Sequence, residues 1–428
     1  MNSRSRAAEL LPLTPAAAVP LLFLHRMYQA HATLGPIDVY SSDVAIAVVI
    51  VAAAAAGLLW GFAPLRRPRT LWAAAGALLA LFVISCFWSP ADQTQKHLIT
   101  AAKYIEYALL APSLVLLLRH RIDVDRLLLV FVGWSAAASG WGVLQFLGLV
   151  NEFRGKNPDQ REPSFLGIED FAALSGAVLV IAFVGLALDQ PRRRVVVAGI
   201  SGAVGMAVAA SVMAMAGVAL AGLVIVVVAR RAGTLSLRRL TAIVAIGIVT
   251  GAGVYDLRAG DASSFFSFLK TGKAGAPASA GIQTGSQRVL LSYLGLRMWQ
   301  DHPLLGVGFE RSFDHYQPYL AAAKRRFPDQ HPEAFPSPAH EWGVQNFWIE
   351  LLADVGIVGL VLGLATFVSG IWLALRVPSN LRLLGLIAAG WICVTVGSLN
   401  GTGIVSGLPL DALVWLGLGL GATVGGLE

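Results

Sequence analysis

The sequence predicts an all-α, polytopic integral membrane protein with about 12 transmembrane helices and one large extracytoplasmic loop before the last three spans. Three observations carry this prediction: an apolar composition, apolar segments of spanning length, and arginines in alternate loops. Of the 428 residues, 56% are hydrophobic and 13% are charged, and the mean hydropathy is +0.68. A soluble domain has about 45–50% apolar and about 25% charged residues, so the composition excludes an ordinary soluble protein.

Apolar segments long enough to cross a membrane recur along the chain. A transmembrane helix needs about 20 predominantly apolar residues to span the hydrocarbon core. One segment, 195–229, has about 35 residues, which is enough for two short helices. The remaining predicted spans are 9–25, 43–63, 71–88, 100–118, 127–148, 170–188, 239–256, 355–375, 383–399 and 408–427.

Arginines mark every second loop, and this alternation predicts the orientation of the chain. Arginines near span ends stay on the cytoplasmic side, so these loops and both termini are predicted to be cytoplasmic. The net charge of +7 therefore reports membrane topology and does not indicate a nucleic-acid partner. The arginines are Arg66, Arg67, Arg69, Arg119, Arg121, Arg126, Arg192, Arg193, Arg194, Arg230, Arg231, Arg238, Arg239, Arg376 and Arg382.

The chain divides into three predicted regions. Residues 1–256 hold transmembrane helices 1–9, residues 257–344 form an extracytoplasmic loop with amphipathic helices, and residues 345–428 hold helices 10–12. The first span also resembles a secretory signal, but we expect it to be retained, as first spans of polytopic proteins usually are. The short loops predicted to face outward are 26–42, 89–99, 149–169 and 400–407.

Ionisable residues in and near the spans are the first candidates for a site, because charge within hydrocarbon is costly. Lys103 and Glu106 lie three residues apart on the fourth predicted span. They either neutralise each other or line a cavity that positions a charged substrate. Asp170 and Asp411 each open a span, where an acidic residue often serves as a simple helix cap.

The outer loop 149–169 carries Arg154, Lys156 and Arg161, against the positive-inside bias. Arginine holds phosphate in a bidentate fork, so this loop is either a clamp for a phosphate-bearing lipid headgroup or a solvated loop balanced by nearby acids. Both cysteines lie within predicted spans, and no two of the eight histidines have the spacing of an HExxH site. We therefore expect no metal and no cofactor.

The long loop contains the most informative motifs. The stretch GSQRVLLSYLGLRMWQDHPLLGVGFERSF reads as a helix with Arg288 at its start and with Leu290, Leu294 and Met298 along one side. The following Gly-Val-Gly at 306–308 is either a tight turn or a phosphate cradle. A proline-rich stretch comes next and predicts an irregular lid. The segment QNFWIELLADVGIVGL then enters a span.

These motifs resemble the bacterial O-antigen ligase and O-antigen polymerase family. Its signature has an arginine before D-x-P-L-x-G-x-G, followed by H-N-x-x-L-x-x-L-x-E-x-G-x-x-G, and the likeness covers residues 285–360. The resemblance implies a metal-independent glycosyltransferase of the bacterial cytoplasmic membrane, with its active side outside. The implied donor is an undecaprenyl-diphosphate-linked glycan, and the implied acceptor is a glycan or lipid.

The resemblance also implies roles for single residues. Arg288 matches the loop arginine that is thought to hold the diphosphate, and Asn346 begins the match to the second motif. Two features depart from the family: Gln345 stands where the histidine is expected, and the second arginine is missing from ASVMAMAGVALAG. His340 is the candidate replacement for the histidine, and Arg161 or Arg154 for the second arginine.

The predicted function is therefore transfer or polymerisation of lipid-linked glycan, with catalytic Arg288 and with His340, or no base, activating the acceptor. Polymerisation is slightly favoured because the family histidine is absent. Two alternatives stay open: a secondary transporter of about twelve spans, and a relative that binds lipid-linked glycan without catalysis. The remaining predicted substrate contacts are Arg161, Arg154, Lys103, Glu106, Gln345 and Asn346.

Overall fold

The computed structural model describes residues 9–35, 37–88, 91–152, 155, 159–271 and 284–427, and it confirms the all-α class. Of the described residues, 76% are helical, counting α- and 3-10 helices together. In the ranges just given, the strands are limited to β1 (His31–Leu34) and β2 (Ile37–Tyr40). They pair antiparallel, with His31 opposite Tyr40, and form a hairpin between the first two predicted spans.

The helices follow the predicted order of spans. The α-helices of the described part are α1 Thr14–Leu22, α2 Ser41–Trp60, α3 Arg69–Ser85, α4 Ala91–Ala108, α5 Leu110–Leu117, α6 Arg121–Phe146, α7 Ile168–Ala187, α8 Arg192–Ala209, α9 Val212–Arg231, α10 Leu237–Thr271, α11 Thr284–Asp301, α12 Gln317–Arg326, α13 Phe347–Leu375, α14 Arg382–Ser398 and α15 Leu410–Val424. Short 3-10 helices lie at Leu11–Leu13, Arg26–Tyr28, Ala63–Arg66, Cys86–Trp88, Pro332–Ala334, Ser379–Leu381 and Leu399–Gly401.

Nine helical stretches of the described chain are long and apolar enough to cross a membrane. The other three predicted spans also coincide with helices: α1 and α15 are shorter apolar helices, and α8 begins with an arginine run. The segment 195–229 is divided into α8 and α9, as predicted, at Ala210, which has a left-handed φ of 48°. A polytopic membrane protein is therefore the class that the helices define.

The loops predicted to lie on the same side of the membrane meet in the structure. At one end of the bundle, the N–H of His25, the residue before the loop 26–42, donates to the carbonyl of Phe165 in the loop 149–169, 2.8 Å away. At the other end, Arg239 forms an ion pair with Asp189 at 2.6 Å. This segregation agrees with the predicted alternation of loops, while the end that faces the cytoplasm stays a prediction.

Two helices form the centre of the bundle. In both α7 and α14, 83% of the spanning residues are buried. Close approach at α14 depends on small residues, because a Cβ atom added to Gly217 of α9 would lie 2.8 Å from the backbone of Val394. The interior is thus packed helix against helix, and these helices fix the loops at their ends.

The predicted extracytoplasmic loop has an apolar cluster of its own. Leu290, Leu294 and Met298 of α11 are buried together, as the spacing predicts. Phe327 and Val344, from the chain that follows α11, belong to the same cluster. In addition, α10 continues to Thr271, past the predicted region boundary at 256.

The segments 303–308 and 353–358 pair through their backbones. The N–H of Gly308 donates to the carbonyl of Asp354 at 2.7 Å, and the N–H of Ile357 donates to the carbonyl of Pro303 at 2.9 Å. The N–H of Val307 is also engaged, by a carbonyl of α13 at 2.9 Å. The Gly-Val-Gly sequence is therefore a tight turn against α13, and these engaged amides leave no phosphate cradle there.

Glycine is required at both sides of this contact. Gly306 has φ +66° and Gly356 has φ +68°, a region that other residues rarely adopt. A Cβ atom would lie 2.3 Å from the Asp354 backbone at Gly306 and 2.2 Å from the Leu304 carbonyl oxygen at Gly356. The two glycine motifs of the sequence thus bring a loop and a kinked span into direct backbone contact.

Replacing either glycine should therefore destabilise the protein. For Gly306→Ala and Gly356→Ala we expect a loss of at least about 2 kcal/mol in the free energy of unfolding, because steric overlap adds to backbone strain. Thermal unfolding of the purified protein measures the effect. The control is Gly133→Ala, a helical site with open space around the added methyl group; equal behaviour of control and test variants would contradict the role of the contact.

Candidate functional site

The loop between α14 and α15, residues 401–410, is held by carboxyl groups from four parts of the chain. Each carboxyl accepts hydrogen bonds from backbone N–H groups of this loop, and four of the bonded pairs are separated by 2.7 to 3.3 Å. The pairs are Ile404 with Glu350, Val405 with Glu310, Ser406 and Gly407 with Asp411, and Leu410 with Asp170.

This arrangement explains why these acids are tolerated inside the protein. Glu350 is 4% exposed and Asp411 is 1% exposed, and a buried carboxyl group is costly unless it is hydrogen-bonded. Glu310 lies in the loop before α12, outside the spans. Burial, and then the nearby Glu350 carboxyl, raises the pKa of Glu310 well above its ordinary value. The cluster therefore combines fixed geometry with a readily protonated group.

Asp354 connects this cluster to the Gly-Val-Gly turn. Its side chain is fully buried, and its two oxygens accept the N–H groups of Glu310 at 2.8 Å and Ser312 at 3.0 Å. Glu310 itself has a positive φ of 58°. Asp354 thus holds the backbone in the conformation that turns Glu310 toward the 401–410 loop.

Arg288 lies beside the start of the 401–410 loop. One of its terminal nitrogens donates to the Gly401 carbonyl at 3.0 Å and lies 3.6 Å from Glu169. The side chain is 21% exposed, and its Nε is buried without a hydrogen-bond partner in the described part of the chain. Arg288 is therefore positioned on one side only and keeps N–H donors for a further acceptor.

The junction of α8 and α9 meets the same group. Ser211 donates its hydroxyl to Glu169 at 2.5 Å, and Glu169 in turn faces Arg288. This junction falls within the sequence where the family resemblance implies a second arginine. At this junction Ser211, and not an arginine, contacts the Glu169 carboxylate. The positive charge of Arg288 is therefore partly balanced by Glu169, and the junction does not add a second positive charge.

Of the two candidates for a second cation, Arg161 is described and Arg154 lies outside the described residues. Arg161 is partly buried. Its neighbour Glu162 donates its N–H to the Val208 carbonyl at 3.0 Å, which places this loop next to the end of α8. Arg161 is therefore close in the fold to the α8–α9 junction, and its role as the second cation stays a prediction.

His340 lies on the irregular segment between α12 and α13. Its backbone forms two hydrogen bonds with Ser337, and its ring stacks on Trp342 with a centroid distance of 6.1 Å. The segment is fixed to the first turn of α11, because Gln287, next to Arg288, donates to the Ala334 carbonyl at 3.3 Å. The structure thus connects the His340 segment to the helix that carries Arg288.

Gln345 and Asn346 form the entry to α13. Gln345 has a left-handed φ of 51°, and the side chain of Asn346 accepts the N–H of Ile349 at 3.2 Å, as an N-cap. Asn346 is thus engaged in starting the helix that carries Glu350. The partly buried Gln345 remains a predicted substrate contact.

Lys103 and Glu106 lie on α4 in a separate groove of about 580 Å³. Lys103 forms an ion pair with Asp43 at 2.6 Å and donates to the Asp38 carbonyl at 3.0 Å. The ion pair of Lys103 is thus formed with Asp43 of α2 and not with Glu106, its neighbour on α4. Both residues line the groove, which fits the cavity alternative of the sequence prediction.

A buried histidine near the start of α4 contacts a pair of charged side chains. His97 on α4 lies 3.5 Å from Asp314, and Arg311 lies 3.8 Å from the same carboxylate. Contact with His97 holds the pKa of Asp314 below its ordinary value. Arg311 also donates to the Trp88 carbonyl at 3.0 Å. In the described residues no three histidine, cysteine or acidic side chains are grouped as metal ligands.

Sequence reasoning missed the role of Glu310. It stands in GFERSF, inside the recognised motif, but nothing in its spacing indicates a contact with the distant Val405. Asp170 was read as a cap of its own helix, whereas it accepts the N–H of Leu410 at the start of α15. The sequence shows that Asp170 is an acidic residue at the start of a span. It does not show which helix its carboxyl group caps.

Comparison with known proteins supports the resemblance. Residues 197–364 match the protein-family model described as O-Antigen ligase, a range that runs from α8 into α13 and includes Arg288, His340, Gln345 and Asn346. The curated proteins contain no match to the chain. The structure is that of a multi-pass membrane protein, and its residues 197–364 are similar to the O-Antigen ligase family model.

Glu162 near this site predicts a pH-dependent stability. It is 1% exposed, and neither carboxylate oxygen has a hydrogen-bond partner among the described residues. Burial, and then the nearby Glu152 carboxylate, raises the pKa of Glu162 from 4.5 to about 7. The folded state thus binds the proton more tightly than the unfolded state, so stability falls as the pH rises from about 4.5 to about 7 and then levels off.

The variant Glu162→Gln should remove this dependence. We expect it to stabilise the protein at pH 8 by on the order of 2 kcal/mol and to have little effect at pH 4.5, measured as the midpoint of thermal unfolding across this range. Glu341→Gln, at an exposed carboxyl, is the control. Equal shifts of Glu162→Gln at both pH values would show that its proton does not titrate in this window.

Proposed function

We propose that the protein is a glycosyltransferase that transfers or polymerises an undecaprenyl-diphosphate-linked glycan at the extracytoplasmic face of the cytoplasmic membrane. The observation that carries the proposal is Arg288, held by the Gly401 carbonyl and Glu169 with its Nε unpartnered, inside the range that matches the O-antigen ligase model. Both termini are placed on the cytoplasmic side, as the arginine-bearing loops predict.

The chemistry requires little more than charge stabilisation and positioning. The bond between the sugar C1 and the diphosphate oxygen breaks, the acceptor hydroxyl oxygen bonds to C1, and the hydroxyl proton leaves. Negative charge develops on the diphosphate, and a fixed guanidinium with free N–H donors stabilises it. Because Arg288 is already oriented by two contacts, little reorganisation is needed when the diphosphate binds.

The fate of the hydroxyl proton distinguishes two versions of the proposal. In the first, His340 takes the proton as a general base, a contribution of about 100- to 10,000-fold. In the second, no side chain acts as base, and the proton moves late to the leaving diphosphate. Gln345, at the position of the family histidine, favours the second version unless His340 reaches the acceptor.

The groove beside Lys103 and Glu106 supplies a place for the second substrate. Its walls include Leu98, Ile99 and Ala102, so a lipid-bearing molecule would meet apolar surface next to a charged pair. Two lipid-linked chains would thus occupy Arg288 and this groove in a polymerase. The competing transporter requires a mobile path through Asp411, whose carboxyl is engaged with two backbone N–H groups.

The test is glycan transfer in a host that lacks its own family member. Arg288→Ala should lower transfer by about 100-fold or more, the cost typical of removing a donor to developing negative charge. The matched control is Arg297→Ala on the same helix, where the arginine contacts Tyr293 and Gln300 at the surface. Membrane abundance of each variant is measured alongside. Normal transfer by Arg288→Ala would reject the proposal.

Two further variants test which group accepts the proton of the acceptor hydroxyl. His340→Ala should lower transfer strongly if His340 is the base and leave it unchanged if no base acts, while Gln345→His restores the family residue and should raise transfer if the acceptor lies there. Loss of acceptor binding is separated from loss of chemistry by varying the acceptor concentration. Inactivity of the wild-type chain with every acceptor would favour the glycan-binding alternative.

A further inference from the structure

A cavity of about 310 Å³ lies among α6, α7, α8 and α14, at the end of the bundle opposite to Arg288. Its walls are apolar and include Leu128, Val132, Ile181 and Ile387. Ligand sites in proteins range from about 300 to 1,000 Å³, so this cavity holds a small group or a section of a long chain. None of the residues proposed for glycan transfer lines it.

The cavity opens on the outward surface of the helix bundle, the surface that the predicted spans turn toward lipid. Leu129 and Val197, which line it, are 55% and 48% exposed, and both lie on helices of the bundle surface. At its inner side α7 and α8 approach closely, because a Cβ atom on Gly185 would be 2.5 Å from Val195. A molecule therefore enters from the lipid phase and is stopped by the α7–α8 contact.

The mouth of the cavity is basic. Arg121, Arg193 and Arg194 line it with one acidic residue, Asp125, so the charged groups sum to +2. Asp125 lies 3.8 Å from Arg121. Arg193 and Arg194 have no hydrogen-bond or ion-pair partner among the residues that the structure describes. They also belong to the first turn of α8, whose N-cap Pro191 makes no side-chain cap, and helix N-termini favour anions.

From this combination we propose that the cavity binds one anionic phospholipid, with its phosphate at Arg193 and Arg194 and a section of an acyl chain along Ile181 and Val132. The apolar walls and the lateral opening favour a lipid over a soluble phosphate compound. The basic mouth favours an anionic over a zwitterionic headgroup, as basic pockets between spans do at the cytoplasmic leaflet.

The proposal is tested by lipid binding to the full-length protein in detergent, with native mass spectrometry as the readout. The probe is phosphatidylglycerol, compared with phosphatidylethanolamine and with inorganic phosphate. We expect one phosphatidylglycerol per chain, and a loss of about 30-fold in affinity in the double variant Arg193→Gln, Arg194→Gln. This estimate takes about 1 kcal/mol for each arginine near an anionic surface and tenfold for each 1.4 kcal/mol.

Two more variants distinguish binding of the lipid headgroup from binding of the acyl chain. Ile181→Trp fills the apolar part and should weaken lipid binding without removing an arginine. The control is Arg66→Gln, Arg69→Gln, which removes two exposed arginines at the same end of the bundle, outside the cavity, and should bind like the wild type. Each variant is first checked for normal thermal unfolding.

Three outcomes would overturn the proposal. Unchanged phosphatidylglycerol binding in the Arg193 and Arg194 double variant would show that these arginines do not bind the headgroup. Equal binding of phosphatidylethanolamine would show that the cavity does not prefer an anionic lipid. Displacement of the lipid by inorganic phosphate at similar concentration would make the site a simple anion site. All three readouts are independent of glycan transfer, so they stand whether or not the proposed activity is found.

Discussion

Hydrogen bonds from backbone N–H groups to buried carboxyls are the constraint on which the Arg288 end of this protein depends. Non-helical backbone near the membrane interior needs internal partners, since no water is available in hydrocarbon. The 401–410 loop meets this need with Glu350, Glu310, Asp411 and Asp170. The same bonds satisfy the carboxyls, whose burial would otherwise be costly. Loop and acids are therefore stable together, and removing either side leaves the other unpaired.

This constraint also determines where Arg288 lies. The 401–410 loop begins with the Gly401 carbonyl that accepts from Arg288, so a displaced loop would release the guanidinium. Asp354 extends the dependence to α13 and the Gly-Val-Gly turn, because it fixes the backbone from which Glu310 reaches Val405. Two motifs that are distant in sequence thus act through one hydrogen-bonded unit. Substitutions in that unit should reduce activity by displacing Arg288, without any contact to substrate.

The fold was predictable from the sequence because its signals are local. The length of an apolar segment predicts a single span, and the arginines of a loop predict the side on which that loop lies. The twelve predicted spans coincide with helices. The site was predictable only in part. Arg288 and Gln345 follow from a motif, whereas the partners Glu169 and Ser211 come from other helices and leave no local pattern. The ion pair of Lys103 could not be predicted for the same reason, because its partner Asp43 lies on another helix and is distant in sequence.

The two ends of the bundle accommodate charged side chains in different ways. At the Arg288 end, acids are buried on backbone amides, and the guanidinium of Arg288 is partly balanced by Glu169 and keeps an Nε that has no partner among the described residues. At the other end, arginines stay at the surface, and two of those at the mouth of the α6–α8 cavity, Arg193 and Arg194, have no hydrogen-bond or ion-pair partner among the described residues. The ligand proposed for each end carries a phosphate and a lipid chain, and in both proposals arginine binds the phosphate. The difference is that Arg288 is oriented by Glu169 and Gly401, whereas Arg193 and Arg194 are not. An oriented guanidinium can stabilise charge that develops during a reaction. A guanidinium without protein contacts can adjust to the headgroup of a lipid that is bound but not converted.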